Sequence, residues 1–193
     1  MGYLNWQSPL AGTRVDVTVP DEMSAEQAVP SAVLIIITAD EAPCLLLTKR
    51  SAHLKKHAGQ IAFPGGRVDA DDESLVHTAL REAGEEVGLD ASTVSLRGFL
   101  PDMLTGTGYL VTPVVVQSTQ KAETLAAQLS ANPEEVDEIF FAPLSLLLQP
   151  ENYDSFRRED RGISWRSWRI HYQGHIIWGA TAAILHHWAR ALY

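Results

Sequence analysis

The stretch from Gly66 to Leu89, GRVDADDESLVHTALREAGEEVGL, constrains this chain more than any other. From Glu73 onward it carries apolar residues at helical spacing, and Gly88 stands where a helix stops, so a helix over 73–87 is expected. At 3.6 residues per turn, Glu82, Glu85 and Glu86 fall at i, i+3 and i+4 and share one face. Val76, Ala79, Leu80, Ala83 and Val87 share the neighbouring, apolar face. One side of the helix therefore packs on a sheet while another presents three carboxylates. Like charges at that spacing repel and cost helix stability, and Arg81 alone is too little to cancel them. A divalent cation resolves the conflict: Mg2+ is a hard ion that takes carboxylate oxygens and keeps waters and phosphate oxygens in its shell. A solvated acidic face is the plain alternative for three glutamates alone. The context favours the ion: Gly65-Gly66 upstream, an acidic loop, Arg81-Glu82, Glu85-Glu86 and a closing Gly88.

Around that helix the chain reads as alternating short strands and helices. Ser31–Thr38 is a β-branched apolar run and reads as a buried strand. Asp40–Pro43 is turn chemistry, and Cys44–Lys49 reads as a second strand, antiparallel to the first. Strands are also expected at 94–100, 109–117, 138–142, 165–172 and 175–178, with Gln173-Gly174 as a hairpin turn. Residues 121–130 read as a short helix or a loop, 144–148 as a helical turn, and 180–192 as a closing helix. The resulting class is α+β: a mixed sheet layered with helices, in an α+β or α/β/α arrangement. Residues 1–30 are mixed and polar and read as an N-terminal extension, with 31–193 as the domain proper.

With 193 residues the chain can bury a core without staples. Its formal net charge is −9, whereas proteins that neutralise nucleic-acid backbones are usually basic, so nucleic acid is not an expected partner. A small anionic ligand stays open, because a metal ion supplies local positive charge. The single cysteine, Cys44, cannot form an internal disulfide and reads as a buried, inert thiol. The N-terminus lacks a signal pattern and no apolar run reaches the length of a membrane span, so a cytoplasmic protein without a membrane partner is expected. His171, His175, His186 and His187 are scattered among tryptophans without ligand spacing, and are not read as metal ligands. Trp165, Trp168, Trp178 and Trp188 read as core or interface, which with the first thirty residues leaves room for a homodimer.

The segment from Gly66 resembles the Nudix box, G-x5-E-x7-R-E-U-x-E-E-x-G-U with U aliphatic. Here Glu73 follows Gly66 after six residues, and Ala83 stands at an aliphatic position. The resemblance implies an α/β/α sandwich on a mixed sheet. It implies Glu82, Glu85 and Glu86 as ligands of Mg2+ or Mn2+, Arg81 as the cation that orients them, paired with Glu73, and Gly66 as the residue that lets the loop turn tightly. Gly88 is the box's closing glycine.

Upstream, Leu45–Gly66 (LLLTKRSAHLKKHAGQIAFPGG) is similar to the signature of the coenzyme A pyrophosphatase branch of that family. Leu46-Leu47-Thr48, Arg50-Ser51, Gly59 and Phe63-Pro64-Gly65-Gly66 match; Lys55 or Lys56 stands where that signature has arginine. The implied reaction is hydrolysis of the diphosphate of coenzyme A, or of an acyl or oxidised form, to 3′,5′-ADP and 4′-phosphopantetheine. Arg50, Lys55, Lys56 and His57 are the candidate cations for the ribose 3′-phosphate, Arg50 first, beside Gly65 and Gly66 in substrate binding. Glu85 or Glu86 can act as general base besides ligating, and Glu134, Glu135 and Glu138 offer acids outside the box. The competing readings are a pyrophosphatase of NADH, ADP-ribose or dinucleoside polyphosphates, and a binding module that has lost catalysis.

Overall fold

The computed structural model describes residues 14–15, 28–160 and 163–192. Its centre is the apolar run anticipated at 31–38, which forms β2 (Val29–Ile37); β1 is the short Arg14–Val15. Then follow β3 (Cys44–Arg50), β4 (Ile61–Ala62), β5 (Gly65–Arg67), α1 (Leu75–Val87), β6 (Val94–Phe99), β7 (Asp102–Leu104) and β8 (Tyr109–Ser118). The chain continues through α2 (Ala122–Gln128), β9 (Val136–Pro143), α3 (Leu144–Leu147), β10 (Asp154–Asp160), β11 (Ile163–Tyr172), β12 (His175–Trp178) and α4 (Ala180–Ala191).

β2 and β8 run parallel along their length, from Val29↔Tyr109 to Ile37↔Gln117. Both are apolar on both faces, as strands covered on two sides must be. Ala32, Leu34 and Ile36 face α1, meeting Ala79, Ala83 and Val87. Ile35 and Ile37 face the opposite layer, where Ala182, Leu185 and Trp188 of α4 close the core. This is an α/β/α sandwich on a mixed sheet, as expected. Ala83, the departure from the aliphatic box position, is fully buried, and its small side chain suits a helix lying close on the sheet.

The outer edge of β2 is shared, and this sharing makes the site. Its first half pairs with β5, Ser31↔Arg67 through Val33↔Gly65. Its far end pairs with β3 at Ile37↔Leu45. β2 and β3 are thus antiparallel, as read from sequence, but part after that pair, and β5 takes the freed edge of β2. β3 goes on to pair with β9, from Cys44↔Pro143 to Arg50↔Val136.

α1 begins at Leu75, later than the expected Glu73. Ser74 caps it, its Oγ accepting the His77 N–H at 3.1 Å. Gly88 ends it at φ 68°, a left-handed position that glycine takes without a Cβ penalty.

A second, three-stranded antiparallel sheet joins β10, β11 and β12. Gln173 (φ 46°) and Gly174 (φ 84°) make its anticipated hairpin turn, both left-handed as a two-residue hairpin demands. β10 itself was not anticipated, because DSFRRED has no apolar alternation. Its register puts cations on rings instead: Arg158 lies 4.7 Å from the Trp178 ring centre and Arg169 5.5 Å from that of Phe156. Cys44 is half-buried rather than buried, and burial pushes its thiol up from the usual value. Of residues 1–30, Arg14–Val15 pairs in parallel with β7, and most of the rest lie outside the described residues. Among the described residues no helix is long and apolar enough to cross a membrane.

Candidate active site

The three glutamates of α1 share a flank but not an environment. The Glu85 side chain is 56% exposed, Glu82 is 16% exposed and Glu86 is 2% exposed. The helix rotates them progressively from solvent toward the gap between β2 and β3. Glu86 accepts the Gly65 N–H at 3.2 Å and the Arg50 guanidinium at 3.3 Å. Burial raises its pKa to about 7, against the pull of Arg50 and the Gly65 N–H and with help from Glu135 and Glu82. Burial likewise pushes Glu82 up, against the pull of Arg81.

Glu82 explains Gly66. A Cβ at position 66 would collide with the Glu82 carboxylate. The glycine provides room for that carboxylate, and the special backbone conformation belongs to its neighbour: Gly65, in β5, has φ 155°, and a Cβ there would lie 2.6 Å from the Val33 Cα. Both glycines of the pair are therefore forced, for different reasons.

Arg81 does not pair with Glu73. Its Nε and Nη2 donate to the two oxygens of Asp72, each at 3.0 Å, a bidentate fork. Nη2 also donates to the Arg67 carbonyl at 3.1 Å, and Nη1 faces Glu82 at 3.1 Å and Glu85 at 3.3 Å. Asp72 further accepts from the Thr78 hydroxyl at 2.8 Å and the Asp69 N–H at 2.9 Å. These donors, Arg81 foremost, hold its carboxyl far below the usual range. Glu73 is exposed and lies outside the helix, its N–H donating to His77 Nδ1 at 3.2 Å. Five residues separate Gly66 from Asp72, the box's own spacing for its first acid, so the extra residue falls after that acid rather than before it. Aspartate in place of glutamate hid the match.

Among the acids outside the box, Glu135 is the one whose charge raises both Glu82 and Glu86. It is half-buried, just before β9, in a loop docked on the end of α1: the Ser130 N–H donates to Val87 O at 3.0 Å and the Asn132 N–H to Glu86 O at 2.9 Å. Glu138 turns away to His175, 3.4 Å from its Nε2. Glu134 is exposed. Of the expected cations, Arg50 joins the carboxylates, while Lys55, Lys56 and His57 lie on the exposed turn after β3. His57 there is left-handed at φ 58°, its Nδ1 3.0 Å from Gln60 Oε1. His175 stacks on Phe140 and His186 on Trp168, so these imidazoles serve aromatic packing.

The donor set suits a hard divalent ion: three carboxylates, all oxygen, two of them partly desolvated and short of positive charge. Among the described residues no three such groups converge on one point. Arg81 gathers Glu82 and Glu85 on one nitrogen, while Glu86 is paired separately with Arg50.

The family model described as NUDIX domain matches residues 28–160. The chain is 44% identical over 162 residues to the uncharacterized Nudix hydrolase NudL of Yersinia pestis (strain Pestoides F), covering 83% of this chain and 78% of that one. The same figures hold for the NudL of Yersinia pseudotuberculosis serotype O:1b (strain IP 31758). Among solved structures, the Nudix hydrolase RenU of M. smegmatis superposes with a TM-score of 0.48 at 20% identity, over 61% of this chain and 72% of that one. The MutT protein of Methanosarcina mazei Go1 does so with a TM-score of 0.47 at 26% identity, over 62% and 80%.

Proposed function

The chain belongs to the Nudix hydrolase family, whose members are pyrophosphohydrolases, and from that premise we propose that it hydrolyses the diphosphate of coenzyme A or of its acyl or oxidised forms. One observation carries the reading: both ends of the upstream motif meet at Glu86. Arg50 follows Leu46-Leu47-Thr48, Gly65 lies in Phe63–Gly66, and both donate to that one carboxylate. The motif that resembles the coenzyme A branch is thereby part of the carboxylate site, which supports a role in the substrate that site takes.

Glu82, Glu85 and Glu86 would hold Mg2+ or Mn2+. A bound ion supplies positive charge to the phosphate oxygens and makes water more acidic. Arg81, clamped by Asp72, orients Glu82 and Glu85 and limits their repulsion. Glu135 accepts the proton of the attacking water. The water oxygen bonds to one phosphorus, the bridging P–O bond breaks, and the bridging oxygen leaves on the other phosphate. Lys55, Lys56 and His57 take the 3′-phosphate, which a basic, exposed turn can reach without desolvating its charges. Gly65 and Gly66 keep that side of the site clear of side chains.

The test offers the protein coenzyme A, NADH, ADP-ribose and diadenosine polyphosphates with Mg2+ or Mn2+, and identifies products by mass. Coenzyme A is expected to give 3′,5′-ADP with the highest kcat/KM. Replacing Lys55 and Lys56 by alanine should raise KM for coenzyme A more than for 3′-dephospho-coenzyme A. Equal effects, or a better substrate lacking the 3′-phosphate, would sink this reading.

A further inference from the structure

Arg50 is held differently from Arg81. Arg81 spends its donors on Asp72, Arg67 O, Glu82 and Glu85. Among the described residues Arg50 makes one side-chain bond, a single Nη1 contact of 3.3 Å to Glu86. Its Nε is buried and, among the described residues, has no hydrogen-bond partner. A guanidinium offers five donors in a planar fork, and leaving a buried one idle is costly. The contact is long for a charge-assisted bond, which usually falls near 2.7–2.9 Å. This arginine pairs with Glu86 while its buried Nε–H awaits an acceptor.

We propose that Arg50 is the built-in counter-ion of Glu86: a divalent cation displaces its guanidinium from that carboxylate, and the released fork, Nε included, then binds the diphosphate of the substrate. The inference rests on the metal site proposed above. It makes Arg50 a competitor of the metal before substrate arrives and a substrate ligand afterwards. The physical reason is charge. A 2%-exposed carboxylate, once ionised, needs a cation beside it, and Arg50 supplies one from the end of β3, whose backbone is held independently. There the Arg50 N–H donates to Gln60 O at 2.9 Å and the Arg50 carbonyl accepts from the Gly59 N–H at 3.0 Å. Those bonds survive truncation of the side chain, so the variant is expected to fold. A diphosphate, with one negative charge on each phosphoryl, suits the freed group, because a planar fork can give two parallel N–H···O bonds to phosphoryl oxygens.

The experiment measures Mn2+ binding to the substrate-free protein, by the loss of the free Mn2+ electron-spin signal, at about pH 8.5, where glutamates are ionised. Arg50→Ala should bind Mn2+ on the order of five- to tenfold more tightly than wild type, the scale of one partly exposed ion pair removed. Arg50→Lys, which keeps the charge, should bind as wild type does. In turnover both variants should raise KM for the diphosphate substrate, the alanine more, since lysine restores charge but not the fork. In a Glu86→Gln background, Arg50→Ala should no longer tighten Mn2+ binding. Mn2+ affinity unchanged or weakened in Arg50→Ala, with the fold intact by circular dichroism, would overturn the proposal while leaving the metal site standing. If replacing Glu82, Glu85 and Glu86 by glutamine leaves Mn2+ binding untouched, the metal site itself fails, and this inference with it.

Discussion

Two arginines serve the same helix, and they are built to different standards. At mid-helix, Arg81 is locked: bidentate to the 1%-exposed Asp72, tied to the carbonyl of Arg67 at the end of β5, and shared between two glutamates. At the C-terminal end, Arg50 rests on Glu86 through one long contact with a buried N–H to spare. The first arrangement fixes the loop from Arg67 to Asp72 against α1 and has nothing left to give. The second leaves a carboxylate and a guanidinium both under-satisfied. Saturation suits Arg81 to a structural charge, and the unfilled valence beside a buried carboxylate is what the role proposed for Arg50 rests on. The outer face of β10–β12 makes the same point from another side, for there arginines lie over aromatic rings on a solvent-facing sheet.

The largest break in that comparison should come from Glu86→Gln. Activity with Mg2+ or Mn2+ is expected to fall by about 10³-fold, the scale of losing a group that stabilises transition-state charge. The melting temperature of the metal-free protein should not fall, because a buried carboxylate without full compensation is being neutralised. Asp72→Asn should do the reverse in kind: a clear drop in melting temperature, with a smaller loss of kcat as Glu82 and Glu85 lose their orienting cation. If Asp72→Asn leaves thermal stability untouched, the lock at Arg81 has been misjudged.

A pH series sharpens the contrast. Glu86 has a folded pKa raised from 4.5 to about 7, so the metal-free fold keeps a proton that the unfolded chain has lost. That group favours the fold below about pH 4.5 and withdraws its contribution as pH climbs toward 7. Asp72 works with the opposite sign: its depressed pKa supports the fold above the ordinary carboxylate range and is lost only in strong acid. Metal-free protein should therefore melt at lower temperature at pH 8 than at pH 6 through Glu86, and Glu86→Gln should flatten that slope. Added Mn2+ should raise the melting temperature more at pH 8, since binding no longer has to expel the proton. The smallest effect belongs to Glu73→Gln. An exposed residue whose side chain makes no contact with Arg81 should change neither kcat nor stability measurably.

Much of this was readable in residues alone, for reasons local to the chain. β2 and β8 declare themselves because strands covered on both faces need unbroken β-branched runs. The helix of the box follows from 3.6-residue spacing and from Gly88, whose left-handed stop is a local event. β10 was invisible because its stabilisation comes from cations resting on rings of other residues, which leaves no periodic trace. Asp72 and Glu73 are neighbouring acids and equivalent on paper, and only the direction of the Arg81 fork chooses between them. Glu134, Glu135 and Glu138 were likewise indistinguishable until the loop after α2 docked on α1 and left Glu135 at the cluster.

The sequence by itself determined which side chains are available: three carboxylates on one flank of a helix, a glycine pair before it, and an arginine at the end of a strand. Spacing and residue type act over one or two turns, and pattern can carry that. Tertiary structure alone decided how those groups divide their charge. The parting of β2 from β3 admits β5, buries Glu86, and brings Arg50 to it from 36 positions away. Burial and pairing depend on what lies across the gap, and no spacing along the chain encodes that distance.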